Sequence, residues 1–134
     1  MAFKPRILVA EDDAAIRDLI RAQLSDAGYD VHTAANGNEA VRKIMGAKPD
    51  AVVLDINMPV LDGFGVLREL KAHLAGVRIP ILVLTARHGE EDVLKALSLG
   101  AKDYLTKPFS ESQLLGRIAR LLRPRVRAPN EVAI

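Results

Sequence analysis

AVVLD at residues 51–55, FGVLRELKAHL at 64–74 and ILVLT at 81–85 together decide the architecture of this chain. The two outer runs are short and mostly β-branched or apolar, as strands covered on both faces must be. The middle run places Phe64, Leu67, Leu70 and Leu74 three and four residues apart, the spacing of an amphipathic helix. Strand, helix and strand with short joins make a parallel crossover, because parallel neighbours need a covering helix between them.

The same alternation extends in both directions. RILVA (6–10), DVHTA (30–34) and DYLT (103–106) are the other strand candidates. Helical spacing recurs in Ile16, Leu19, Ile20 and Leu24, in Ala40, Val41, Ile44 and Met45, in Val93, Ala96 and Leu97, and in Leu114, Leu115, Ile118, Leu121 and Leu122. Gly28, Gly46, Gly76 and Gly100 follow four helices as terminators, and Ser110 with Glu111 opens the last. Five βα units in 134 residues are too few for a closed eight-stranded barrel. The expected fold is therefore α/β: one doubly wound, five-stranded parallel sheet of order 2-1-3-4-5, flanked by five helices and flavodoxin-like. Its ligand site should lie beyond the carboxyl ends of strands one and three.

Composition narrows the function classes. With 49% hydrophobic and 27% charged residues the chain is an ordinary globular one, and residues 1–122 form one domain. The remaining stretch, RPRVRAPNEVAI at 123–134, reads as a basic, proline-containing tail or linker start. It holds the whole net charge of +2, so the body balances at zero and no nucleic-acid partner is expected for it. The absence of cysteine excludes disulfides, zinc-thiolate centres and a thiol nucleophile, and fits a reducing cytoplasm. The apolar run at the start is too short for a bilayer, so no membrane is expected.

The polar residues collect at the strand ends. Glu11, Asp12 and Asp13 follow the first strand, Asp55 ends the third, Thr85 ends the fourth and Lys107 follows the fifth. Carboxylates held together in a poorly solvated crevice must protonate or share a cation. Oxygen ligands alone suit a hard ion such as Mg²⁺. Open metal positions, a lysine and a hydroxyl then suit a phosphoryl group. No phosphate-cradling glycine loop or serine elbow is present, so the nucleophile is sought among the acids, and Asp55 is the candidate.

ILVAEDD with Arg17, VVLDINMPVLDG at 52–63, ILVLTA at 81–86 and GAKDYLTKPF at 100–109 resemble, in order and spacing, the receiver domain of bacterial two-component response regulators. The likeness covers residues 6–122. It implies that Asp55 is the phospho-acceptor and that Asp12, Asp55 and the Asn57 carbonyl ligate Mg²⁺, with Glu11 acting through a metal-bound water. It implies further that Thr85, Lys107 and the Asn57 and Ala86 backbone N–H groups hold the phosphoryl group, and that Thr85 and Tyr104 are the switching pair. The family usually has a cis bond where Lys107 meets Pro108. The implied partner is a sensor histidine kinase or phosphotransfer protein, and the implied activity is a switch with slow self-dephosphorylation. The last third is most similar to receivers of winged-helix transcription regulators, which dimerise through the face of helix four, strand five and helix five. Lys95, Asp103 and Arg117 fit that ion-pair pattern, while Lys102 and Gln113 depart from it. Asn57 and Arg87 occupy places that tune phosphoryl hydrolysis in the family, and a bulky cation at 87 would shield the bond from water.

Plainer readings stand beside these. Asp13 is expected to cap a helix, Asp62 to begin a loop through turn chemistry or a helix start, and His32, His73 and His88 to be surface or local residues. Tyr104 by itself reads as packing. A rival from the enzyme class is a small Mg²⁺-dependent phosphohydrolase working through an aspartyl-phosphate, but such enzymes place a second acid where Asn57 stands. A third reading is a receiver-like interaction module that takes no phosphate.

Overall fold

The computed structural model describes residues 3–73, 78–86 and 89–123. The elements alternate as β1 (Arg6–Ala10), α1 (Ala14–Asp26), β2 (Asp30–Ala34), α2 (Gly37–Ala47) and β3 (Ala51–Asp55). They continue with α3 (Gly63–His73), β4 (Ile81–Thr85), α4 (Glu90–Ser98), β5 (Asp103–Thr106) and α5 (Glu111–Leu122). All four strand pairings are parallel and the sheet order is β2-β1-β3-β4-β5, as the crossover rule requires. Strands are added outward in opposite directions from β1, toward β2 on one side and β3 on the other, and the crevice at this reversal of order opens beyond the carboxyl ends of β1 and β3.

Two apolar layers hold the sheet. Leu8, Val52, Leu54, Ile81 and Val83 point to one face, where Ile44, Val66, Leu70 and Ala96 from α2, α3 and α4 cover them. Ile7, Val9, Val53, Leu82 and Leu84 point to the other and meet Ile20, Leu24, Leu114 and Ile118 from α1 and α5. β3 and β4 are buried at every position, which is why they read as unbroken apolar runs. The edge strands β2 and β5 have one exposed residue each, His32 and Tyr104.

Helix ends follow local chemistry. The Asp13 carboxylate accepts from the Ile16 N–H at 3.0 Å, Asn36 caps α2 through the Glu39 N–H, and Ser110 and Gln113 form a reciprocal capping box on α5. Asp62 starts α3 by accepting from the Gly65 N–H at 2.8 Å. Gly28 and Gly100 take the left-handed φ of +100° and +112° behind α1 and α4. Gly46 does not: it lies inside α2, and Lys48 adopts the left-handed cap at φ 47°. The expected terminator Gly76 lies outside the described residues, as do Leu74, Arg87, His88 and the tail from 124. Leu19 is 55% exposed, because the buried stripe of α1 runs through Ile20 and Leu24.

Between β3 and α3 the backbone turns through Val60 at φ 73°, a left-handed conformation that costs a β-branched residue about 1–2 kcal/mol. Its side chain is 75% exposed, so little packing offsets that strain. Val60→Asn should raise the stability of the fold by about 0.5–1 kcal/mol, since asparagine tolerates this conformation. Thermal melts of both proteins check this; an unchanged or lower midpoint would mean that the loop relaxes without strain.

Candidate functional site: an acidic crevice with one lysine

Each strand end delivers one group. Pairing of β1 with β2 continues one residue past the strand, the Glu11 N–H donating to the Ala34 carbonyl at 3.0 Å, and this turns the Glu11 carboxylate inward. It is only 1% exposed, whereas Asp12 lies at the surface. The Asp13 N–H donates to Glu11 Oε2 at 3.2 Å, and Arg17 reaches back from α1 to the Glu11 and Asp12 carbonyls at 2.9 and 3.4 Å. The acidic turn is thus fixed from both ends.

Asp55 closes β3 and is buried. Beyond it, the Ile56 N–H donates to the Leu84 carbonyl and the Gly63 N–H to the Ile56 carbonyl, folding the following loop back on the strand. A Cβ at Gly63 would stand 2.7 Å from the Asp55 carbonyl oxygen and from Ile56 Cα, so only glycine admits this close approach.

Lys107 follows β5, its N–H bonded to the Thr85 carbonyl at 2.8 Å, and the bond to Pro108 is cis, as the resemblance implied. Its ammonium donates to Asp55 Oδ1 at 3.2 Å and lies 3.1 Å from Glu11 Oε1. The second contact falls outside hydrogen-bonding angles, leaving Glu11 Oε1 buried with no hydrogen-bond partner among the described residues. Thr85 is buried beside this group, and its hydroxyl likewise has no partner among the described residues.

The electrostatics follow from burial. Desolvation, reinforced by the nearby Asp55 charge, pushes the Glu11 carboxyl up to about 7. Desolvation also favours neutral Lys107, but the Asp55 and Glu11 carboxylates outweigh it and raise its pKa. Ligand oxygens of Glu11, Asp12 and Asp55 lie within 4.8 Å of one another. One ammonium does not balance three carboxylates. The donor set therefore fits a hard divalent cation such as Mg²⁺.

The structure thus brings Glu11, Asp12, Asp55 and Lys107 together, with Thr85 at the adjoining strand end. Asn57 and Ala86 stand just beyond β3 and β4 with exposed side chains, leaving their backbone groups as what they offer the crevice. Tyr104 faces outward, 39% exposed, with the Arg117 guanidinium over its ring and hydrogen-bonded to its carbonyl. Asp103 pairs within the chain to Arg117 at 3.0 Å and to Arg120 at 3.4 Å, whereas the Lys95 ammonium sits 4.3 Å above the Phe64 ring. The sequence reading missed Gly89, which packs against Thr85; a glycine four residues beyond that threonine was the available signal.

Fold and site define a class: an open α/β domain whose carboxyl edge carries an acid-and-lysine crevice of the kind that takes a phosphoryl group. Within that class the chain belongs to the response regulator receiver domain family, whose model matches residues 7–119. Response regulator MprA of Mycolicibacterium vanbaalenii is 49% identical over 118 residues, covering 88% of this chain and 50% of that protein. The chain thus spans about half the length of the curated relatives it matches. Chemotaxis response regulator CheY4 of Vibrio cholerae superposes with a TM-score of 0.83 at 35% identity, covering 90% of this chain and all of that one. The receiver domain of NtrX from Brucella abortus gives 0.81 at 33% identity, covering 89% and 99%. Among the described residues no helix is long and apolar enough to cross a membrane.

Proposed function

We propose that Asp55 accepts a phosphoryl group from a phosphohistidine of a sensor kinase or phosphotransfer protein, and that the resulting acyl phosphate switches the surface of α4, β5 and α5. The observation that carries this reading is the Lys107 ammonium, set against Asp55 and Glu11 in a crevice with excess negative charge. In the reaction an Asp55 oxygen attacks phosphorus, the phosphorus–nitrogen bond of the donor breaks, and its imidazole leaves with the electron pair. Lys107 neutralises the incoming phosphoryl oxygens, the Thr85 hydroxyl donates to one, and the Asn57 and Ala86 N–H groups receive the others. Asp12, Asp55 and the Asn57 carbonyl would hold Mg²⁺, with Glu11 acting through a bound water. Such an ion supplies charge neutralisation to the phosphoryl oxygens. Reorientation of Thr85 and inward rotation of Tyr104 would alter the partner affinity of the α4, β5 and α5 face, on which a second copy is one candidate partner.

Incubation with Mg²⁺ and acetyl phosphate, followed by intact-mass measurement, tests the reading. One phosphoryl adduct is expected on the native chain and none on Asp55→Asn. Turnover of phosphate esters without an adduct would instead support the hydrolase, and no adduct at all the interaction module.

A further inference from the structure

We propose that Gly89 is a positioning residue that sets the resting orientation of the Thr85 hydroxyl. This deepens the assignment of Thr85 as the phosphoryl-binding hydroxyl and rests on it for its functional consequence.

Gly89 is buried at the start of α4, whose N-terminus has no side-chain capping bond. A Cβ built on it would stand 2.0 Å from Thr85 Oγ1, 3.3 Å from Thr85 Cβ and 3.1 Å from the Ala86 carbonyl oxygen. The hydroxyl therefore points at residue 89 and fills the space that a side chain there would need. Among the described residues no hydrogen bond holds it in that direction, so space decides its rotamer.

The strand cannot move aside, because the Thr85 carbonyl accepts from the Lys107 N–H at 2.8 Å and Thr85 is paired in register with Thr106. The cheapest adjustment is rotation about χ1, because the atom met first is the end of a side chain. Three substituents on Thr85 Cβ compete for the position facing residue 89: hydroxyl, methyl and hydrogen. With a methyl group at 89, hydrogen alone fits there, and the fixed chirality of threonine then carries the hydroxyl to the place its own methyl now occupies. Glycine at 89 thus permits a resting state with the hydroxyl directed at α4, and any larger residue abolishes that state. With the hydroxyl assigned to phosphate, such a residue releases it from α4 before the phosphoryl group arrives.

The test is Gly89→Ala, with Thr85 χ1 read from three-bond couplings of its methyl carbon in the unphosphorylated protein. The expected result is a change of rotamer, with uptake from acetyl phosphate about three- to tenfold faster. An unchanged rotamer would overturn the proposal. A changed rotamer with unchanged uptake would uphold it and instead overturn the role of Thr85 toward phosphate. Should Gly89→Ala be too unstable for spectroscopy, a double-mutant cycle with Thr85→Ala decides by thermal melting. If the collision is with the hydroxyl, Gly89→Ala lowers the melting temperature in the native background and has little effect beside Thr85→Ala; an equal loss in both sinks the idea.

Discussion

Lys107→Met is expected to reduce phosphoryl uptake about 100-fold or more and to destabilise the unphosphorylated protein at pH 8. The ammonium touches both Glu11 and Asp55, which are almost fully buried, and its removal leaves their charges facing each other without it. Breaking a well-buried ion pair costs about 3–5 kcal/mol. Here the lysine side chain is 28% exposed and water reaches it, so a loss of about 1–3 kcal/mol is expected. The loss should shrink at pH 5.5, where Glu11 is protonated and one of the two charges is gone. Uptake should not recover at that pH, because the transferred phosphoryl group still lacks its cation; removing one such donor commonly costs about 10²–10³ in rate. Urea titration at the two pH values, with timed acetyl phosphate incubation, separates the effects. Full uptake by the variant would show that the lysine serves only to hold the acids together.

The limits of the strands were legible because burial on both faces forces an unbroken β-branched run, as in 51–55 and 81–85. The four chemical groups were legible for a related reason: in a parallel sheet every strand delivers its last residue to the same edge, so distance along the chain drops out. What remained hidden depended on contacts between elements. Gly46 has the composition of a terminator, but α2 runs on to Ala47, and the cap falls on Lys48, where the following Pro49 disfavours another helical residue. Leu19 shares the spacing of its neighbours, yet the path of the covering sheet leaves it outside. Gly89 went unread, since its spacing from Thr85 gains meaning only once the Thr85 hydroxyl is seen 2.0 Å from its missing Cβ. Asp103 and Arg117 also meet within the chain, at 3.0 Å, a contact that depends on side-chain reach from α5 to β5 and that spacing does not reveal.

Without divalent cations the protein should become less stable as pH rises from 5 to 8, and Mg²⁺ should remove most of that slope. Glu11 has its carboxyl raised from 4.5 to about 7 by desolvation and the Asp55 charge, so between these values the folded chain binds a proton that the unfolded chain has released. The stabilisation is complete below pH 4.5 and is lost as pH passes through 7, opposite in sign to that of an acid whose pKa is depressed. Asp30 and Glu39 are of that depressed kind, and their contributions vary below their ordinary values of 3.8 and 4.5, outside the interval. The raised pKa of Lys107 acts above 10.5, also outside it. The change over the interval is on the order of 1–3 kcal/mol. A dication held by the same acids competes with the proton, so Mg²⁺ should stabilise strongly at pH 8 and weakly at pH 5. Glu11→Gln keeps the shape of the side chain, discards its charge and should flatten the metal-free profile. Melting curves of both proteins with EDTA or with Mg²⁺ provide the measurement. A metal-free profile that rises toward pH 8 would mean that Glu11 is ionised throughout. The crevice would then tolerate its full negative charge, and the electrostatic case for a divalent cation would fail.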